Sequence, residues 1–312
     1  MARTVLPPVR NGDVGDWRLA DREFMASFRL PAPSDKVEAL AARNPMPRES
    51  RISFDEKSHT YTVDSSVRVP RSVTGWLHSF TSGFDAPRVV EKMRDGRDWE
   101  DKKERYRRAD GELMSNEEIV QQWSDNGEVQ RARGQLLHWQ AEQYLNGREV
   151  EQPHSPEFGQ FLTICRDVIA PFFSVIRTEV CLFHCGLRMA GQADMICRDA
   201  SGSISIWDWK RARDITYENK FQALKPPLDH LCDTNYWIYA MQLNTYKFFL
   251  ESEYGMTVSS MYLGVVHPTR LTPQVIKLPN LEGEMSVLVR HEIDRGAATE
   301  PIPGERAPFL LL

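Results

Sequence analysis

Four short groups of polar residues recur along this chain in a usable order: Gly134-x3-His138-x3-Glu142, Gly191-Gln-Ala-Asp194, Asp208-Trp-Lys210 and Gln242-x3-Tyr246. Carboxylates, an imidazole and an ammonium are the components of a divalent-metal site with a fixed cation beside it. Oxygen-rich donor sets suit Mg²⁺ or Mn²⁺, which take one or two carboxylates and leave room for water and a substrate phosphate. The chemistry such a set can perform is hydrolysis of a phosphodiester: a bound metal can activate water and stabilise developing charge, while Lys210 can orient or deprotonate the attacking water.

Such a site needs elements that bring the groups together. In Ser203-Ile-Ser-Ile-Trp-Asp-Trp-Lys210 the even positions share one strand face, so Asp208 and Lys210 are neighbours there and Trp207 and Trp209 point the other way. The preceding apolar run carries Gln192, Asp194 and Ile196 on one face. A turn over Asp199-Ala-Ser-Gly-Ser203 makes the two a hairpin with Asp194 directly opposite Asp208. Facing carboxylates stand roughly 5 Å apart at Cβ and repel unless a cation lies between them. An ion pair of Asp208 with Lys210 at a strand end, with Asp194 in a turn, uses the same residues and stays open.

Two helices must flank that hairpin. Gly134, His138 and Glu142 recur every four residues, drifting only about 40° per step, so they form one helical stripe. Gln242 and Tyr246 are again four apart, in a segment apolar nearly all round and therefore expected to be buried. Arg131 and Arg133 precede the first stripe as candidate phosphate contacts. Lys102, Lys103 and Arg105 lie in a run, Lys102-Lys-Glu-Arg-Tyr-Arg-Arg108, with five basic residues against one acidic. Each phosphate neutralised by such a run releases counterions, although the neighbouring acids also suit a solvated helix face.

The rest of the chain bounds the setting. Its 312 residues, 41% hydrophobic and 27% charged, are enough for a full core, and a net charge of −5 argues against coating nucleic acid non-specifically. There is no run near the ~18 apolar residues of a membrane span, and the N-terminus matches neither a signal nor a transit peptide. A soluble intracellular protein is expected. Five cysteines without C-x-x-C pairing suggest neither a disulfide framework nor a zinc ribbon. Strands are predicted over 51–54, 59–63, 66–69, 175–183, 187–197, 203–210 and 256–267, the last being the final clear strand. Helices are predicted over 72–80, 86–93, 116–146, 155–169 and 234–254, the last of these closed by Gly255.

Taken in this order, the motifs resemble the PD-(D/E)XK nuclease superfamily, and within it the RecB-like exonuclease branch that includes the mitochondrial genome maintenance exonuclease and CRISPR-associated adaptation nucleases. The resemblance covers roughly residues 130–267. It implies an α/β restriction-endonuclease-like core, a central mixed β-sheet flanked by helices, with an N-terminal β-hairpin and helical extension. Residues 1–50 would be a flexible arm, 51–130 the extension and 131–312 the core. By the same resemblance His138, Asp194, Asp208 and the Trp209 carbonyl hold metal. Lys210 serves catalysis with Asp194, Asp208 and Glu142, and Gln242 and Tyr246 support the site. Glu179 matches an acidic position of less settled role. Several relatives bind an iron-sulfur cluster through one upstream and three late cysteines. Here no cysteine follows Cys232, so no cluster is expected. The implied function is a metal-dependent DNA exonuclease acting on single-stranded ends or flaps in replication, repair or recombination. A structure-specific endonuclease and a non-catalytic nucleic-acid-binding protein are the alternatives.

Overall fold

A computed structural model of the protein describes residues 24–25, 39–150 and 155–296. Two antiparallel hairpin turns open the fold: β1 (Ile52–Asp55), β2 (Thr60–Val63) and β3 (Val67–Arg68) form a small meander. Its inner residues Ile52, Tyr61 and Val63 pack on Phe183 and Ala190 of the main sheet. Residues 39–50 do not continue the flexible arm expected over 1–50. Helix α1 (Ala39–Arg43) is docked through Leu40, whose N–H donates to Asn146 Oδ1 at 3.0 Å, and Met46 enters the core. The remainder of that expected arm lies outside the described residues, apart from 24–25.

The main sheet is mixed and six-stranded: β4 (Arg71–Ser72), β5 (Phe173–His184), β6 (Met189–Asp199), β7 (Ile204–Arg211), β8 (Val258–Val266) and β9 (Gln274–Lys277). Strand β5 runs antiparallel along one edge of β6 for nearly its whole length. The other edge of β6 is shared. Antiparallel β7 takes Met195 to Arg198, and parallel β4 takes only Met189 and Ala190. Gly191-Gln-Ala-Asp194 therefore lies in the fork between β4 and β7, where the edge is not closed by a ladder. The expected hairpin register is observed, with Met195 opposite Trp207 and Ile196 opposite Ile206. Continuing it by one residue sets Asp194 opposite Asp208.

Helices cover both faces because β7 alternates. Ile204 and Ile206 face a core with helices α2 (Val73–His78), α7 (Asn235–Glu253) and α8 (Glu282–Asp294). Trp207 and Trp209 face a second core with α5 (Asn116–Leu145) and α6 (Pro156–Ile164). Between the meander and α5 lie α3 (Ala86–Arg94) and the single turn α4 (Trp99–Lys102). Helix α5 starts with a full capping box, Ser115 and Glu118 each serving the other's backbone N–H.

The strands do not end at β8, as the sequence pattern suggests. Strand β9 adds an antiparallel edge, and α8 buries Met285, Leu288, Val289 and Glu292 at helical spacing. Gly283, Ser286 and two valines make that helix intrinsically poor, and tertiary burial overrides the propensity. Among the described residues no helix is long and apolar enough to cross a membrane.

Candidate active site

Strand alternation brings Asp208 and Lys210 to the face of β7 that looks at α7. Asp208 is 2% exposed, and its Oδ2 lies 2.7 Å from Lys210 Nζ as an ion pair without hydrogen-bond geometry, leaving that buried oxygen without a hydrogen-bond partner. Lys210 in turn donates to Gln242 Oε1 at 3.4 Å, and Gln242 Nε2 donates to the Tyr246 hydroxyl at 3.2 Å. The ammonium also sits 4.7 Å from the Tyr239 ring centroid, a position that favours its charged form. Tyr239 is a contact that the motif pattern does not contain, although it lies one turn before Gln242 on the same stripe.

Tyr246 reaches this chain of contacts through the fork in the sheet. It is buried in the core, and its ring stands against Gly191. A Cβ at position 191 would lie 2.6 Å from Tyr246 Cε1 and 2.9 Å from its hydroxyl. The glycine of Gly191-x-x-Asp194 is required by close packing. Gly264 on β8 plays the same part for Trp209, whose ring occupies the space of a Cβ there. Gly134 has no such reason, since a Cβ there would meet nothing within 4 Å.

His138 comes to the site on α5, whose neighbouring Leu137 and Ala141 bury against the Trp207 and Trp209 core. Its Nδ1 lies 3.5 Å from both Glu179 Oε1 and Asp194 Oδ2, and its Nε2 lies 3.0 Å from the Trp209 carbonyl oxygen. Ligand atoms of His138, Glu179 and Asp194 all fall within 4.8 Å of one another. Glu179 faces Asp194 across β5 and β6 with a left-handed φ of 45°. That conformation is uncommon for a residue with a side chain. Nothing in the local sequence Arg177-Thr-Glu-Val180 announces it.

The electrostatics fit a cation site. Burial opposes a charged imidazole, but the Asp194 and Glu179 carboxylates outweigh it and lift His138 to about 10. Burial raises Asp208 to about 6, helped by the Asp194 charge and opposed by Lys210. Asp194 is also raised by burial, with His138 pulling the other way. Lys210 stays above its ordinary value despite burial, because Asp208 and Asp194 face it. Protonated His138 and Lys210 thus act as counter-ions for a cluster of buried carboxylates. His138, Glu179 and Asp194, with the Trp209 carbonyl beside the imidazole, form a donor set that fits a hard divalent ion.

The remaining candidates lie elsewhere. Glu142 is half-buried one turn beyond His138, and its carboxylate is not in the group that closes around the imidazole. Lys102 is ion-paired to Asp98 at 3.4 Å and Lys103 to Glu100, so the run is largely a self-neutralised helix face, as acids three and four residues away dictate. Arg105 is exposed. Arg133 lies over the Phe24 ring at 4.3 Å, and exposed Arg131 is two helical turns from His138, about 10 Å along the axis.

Two of the solved structures that this chain resembles do so at low identity. One is SSO0001, 17% identical with a TM-score of 0.29, covering 72% of this chain and 75% of that one. The other is a candidate exonuclease from Eubacterium rectale, 13% identical with a TM-score of 0.30, covering 73% and 67%. No curated protein matches the sequence significantly. The profile of the PD-(D/E)XK nuclease superfamily matches residues 99–301, a span that contains every residue of the His138, Asp194, Asp208 and Lys210 cluster, and the chain belongs to that superfamily.

Proposed function

We propose that this protein is a metal-dependent DNA exonuclease that hydrolyses phosphodiester bonds at single-stranded ends or flaps, in replication, repair or recombination. The observation that carries the reading is a juxtaposition at the end of β7: the ion pair of Asp208 with Lys210 lies beside the three-residue group of His138, Glu179 and Asp194.

Asp194, Asp208, His138 and the Trp209 carbonyl would hold Mg²⁺ or Mn²⁺, with Glu179 facing the same space. The ion supplies Lewis-acid stabilisation of charge on the scissile phosphate. The protein's own groups do the positioning. Lys210, kept charged by its carboxylate neighbours, offers an ammonium to a phosphate oxygen or an attacking water. Gln242 fixes the reach of Lys210, and the buried Tyr246 hydroxyl fixes Gln242. The Tyr239 ring beneath the ammonium limits its hydration. Held this way, the groups need little reorganisation during the reaction, which is the main source of such stabilisation.

The test is digestion of end-labelled single-stranded DNA, linear and circular, with Mg²⁺, Mn²⁺ or chelator, for the wild type, Asp208→Ala and Lys210→Ala. Metal-dependent loss of the linear strand alone, abolished by both substitutions, is expected. Cleavage of circles would replace the exonuclease reading with an endonuclease. Wild-type activity unaffected by Lys210→Ala would remove the assignment of the site.

A further inference from the structure

We infer that Tyr217, backed by Tyr236, forms with Phe221 a platform on which bases of a single nucleic-acid strand stack as the strand passes Lys210. The inference rests on the nuclease reading above and names how that site would grip its substrate.

The placement follows from helix α7. Because α7 connects the parallel strands β7 and β8, it runs back along them, and its first turn lies at the end of β7 that carries Lys210. Tyr236, Tyr239, Gln242 and Tyr246 are spaced by three, three and four residues, so they occupy one helical stripe. Tyr239 is already beneath the Lys210 ammonium. Tyr236 is the next step outward, and the Tyr217 ring lies 4.4 Å from it, centroid to centroid.

These rings are presented by an ordered segment. Thr216 N–H donates to Asn235 Oδ1 at 2.8 Å, and Asn235 Nδ2 donates to the Asp214 carbonyl at 3.0 Å, which ties Tyr217 to the start of α7. Asn219 Oδ1 accepts from the N–H groups of Phe221 and Gln222 at 3.0 and 3.1 Å, while Asn219 Nδ2 donates to Asp233 O at 3.1 Å. A backbone this well satisfied holds Tyr217 45% exposed and Phe221 95% exposed. What sets these two rings apart from the other exposed apolar side chains is their place next to the Lys210 end of β7, at the outer end of the stripe that carries Tyr239 and Gln242. Aromatic faces beside a phosphate-handling site suit bases, since every base has a π-face and stacking tolerates any sequence. Lys220, exposed between the two rings, adds a cation for the backbone.

The experiment uses the full chain in chelator, so that binding is separated from cleavage. Anisotropy compares a labelled deoxythymidine oligonucleotide with an abasic strand of equal length, for the wild type, Tyr217→Ala, Tyr217→Phe and Phe221→Ala. The wild type is expected to prefer the thymidine strand. Tyr217→Ala should weaken that strand by roughly 5- to 100-fold and leave the abasic strand unchanged. Tyr217→Phe should restore it, and Phe221→Ala, at a fully solvated ring that the fold does not need, should show the same selective loss.

Equal wild-type affinity for the two strands, or a preference untouched by both alanine variants, overturns the platform. Cleavage of labelled strand by the same wild-type protein in Mg²⁺ tests the underlying reading separately. Cleavage without base preference removes the platform alone, whereas neither cleavage nor binding of either strand removes the nuclease reading and the platform with it.

Discussion

The main-chain N–H of Trp209 donates to Asp194 Oδ2 at 2.7 Å, and the same oxygen lies 3.5 Å from His138 Nδ1. One carboxylate therefore caps the open end of the β6–β7 ladder and faces the candidate metal position. At the next ladder position this amide would meet Ala193, but the fork in the sheet hands it to the Asp194 side chain. Architecture and site chemistry meet in that oxygen.

Asp194→Asn separates the two roles. An amide oxygen still accepts from Trp209, so thermal stability should stay close to wild type, while divalent-cation binding by calorimetry is lost and turnover drops about 100-fold or more. Asp194→Ala leaves the Trp209 N–H without its acceptor and should additionally cost about 1–3 kcal/mol in urea unfolding. Equal stability of the two variants would contradict the capping role.

Lys210→Met should divide binding from turnover. Removing a cation beside the carboxylates leaves Mn²⁺ affinity unchanged or tighter, whereas cleavage falls by roughly 100-fold or more. Weaker Mn²⁺ binding in the variant would place Lys210 in support of the ligands instead.

Gly191→Ala drives a methyl into the Tyr246 ring, 2.6 Å from Cε1. Overpacking of this kind costs about 1–3 kcal/mol, and the displaced hydroxyl should also release Gln242 and so lower activity. Tyr246→Phe, which keeps the ring and loses only the hydroxyl, should retain more of the stability. A fully stable, fully active Gly191→Ala would refute the packing argument.

The buried pair of Glu157 and Arg211, 2.6 Å apart, has side chains 4% and 6% exposed. It ties the start of α6 to the residue after Lys210. Glu157→Ala leaves the guanidinium, which also donates to Gln130, without its counter-charge and should destabilise by about 3–5 kcal/mol. Arg211→Met/Glu157→Leu together should recover most of it, which unfolding curves for the single and double variants would resolve.

His138 sets a pH dependence in the metal-free protein. Its folded value is about 10 against an ordinary 6.5, so its contribution to stability is complete below pH 6.5 and is lost as pH rises through 10. The melting temperature in chelator should fall over that interval, and His138→Gln should flatten the fall. Cation binding must displace the same proton, so calorimetry near neutrality in buffers of different ionisation enthalpy should register proton release.

Much of the site was legible in the chain itself. Period-two alternation puts Asp208 and Lys210 on one face of β7, the five-residue turn over Asp199–Ser203 sets Asp194 against Asp208, and four-residue spacing puts His138 on one helical stripe with Gly134 and Glu142. These are local rules of strands and helices, and local sequence obeys them. Tertiary structure alone decided the rest. Glu179 reaches His138 through a left-handed backbone that no side-chain pattern encodes. Tyr239 lies under Lys210 because α7 packs across β7, and Gly191 is needed because Tyr246 enters a fork made by strands from distant parts of the chain. Helix α8 exists because burial against the main core compensates a sequence with little intrinsic helical preference. Spacing along the chain carries which side chains share an element; which elements meet is a long-range balance of packing and desolvation, and only the folded molecule expresses it.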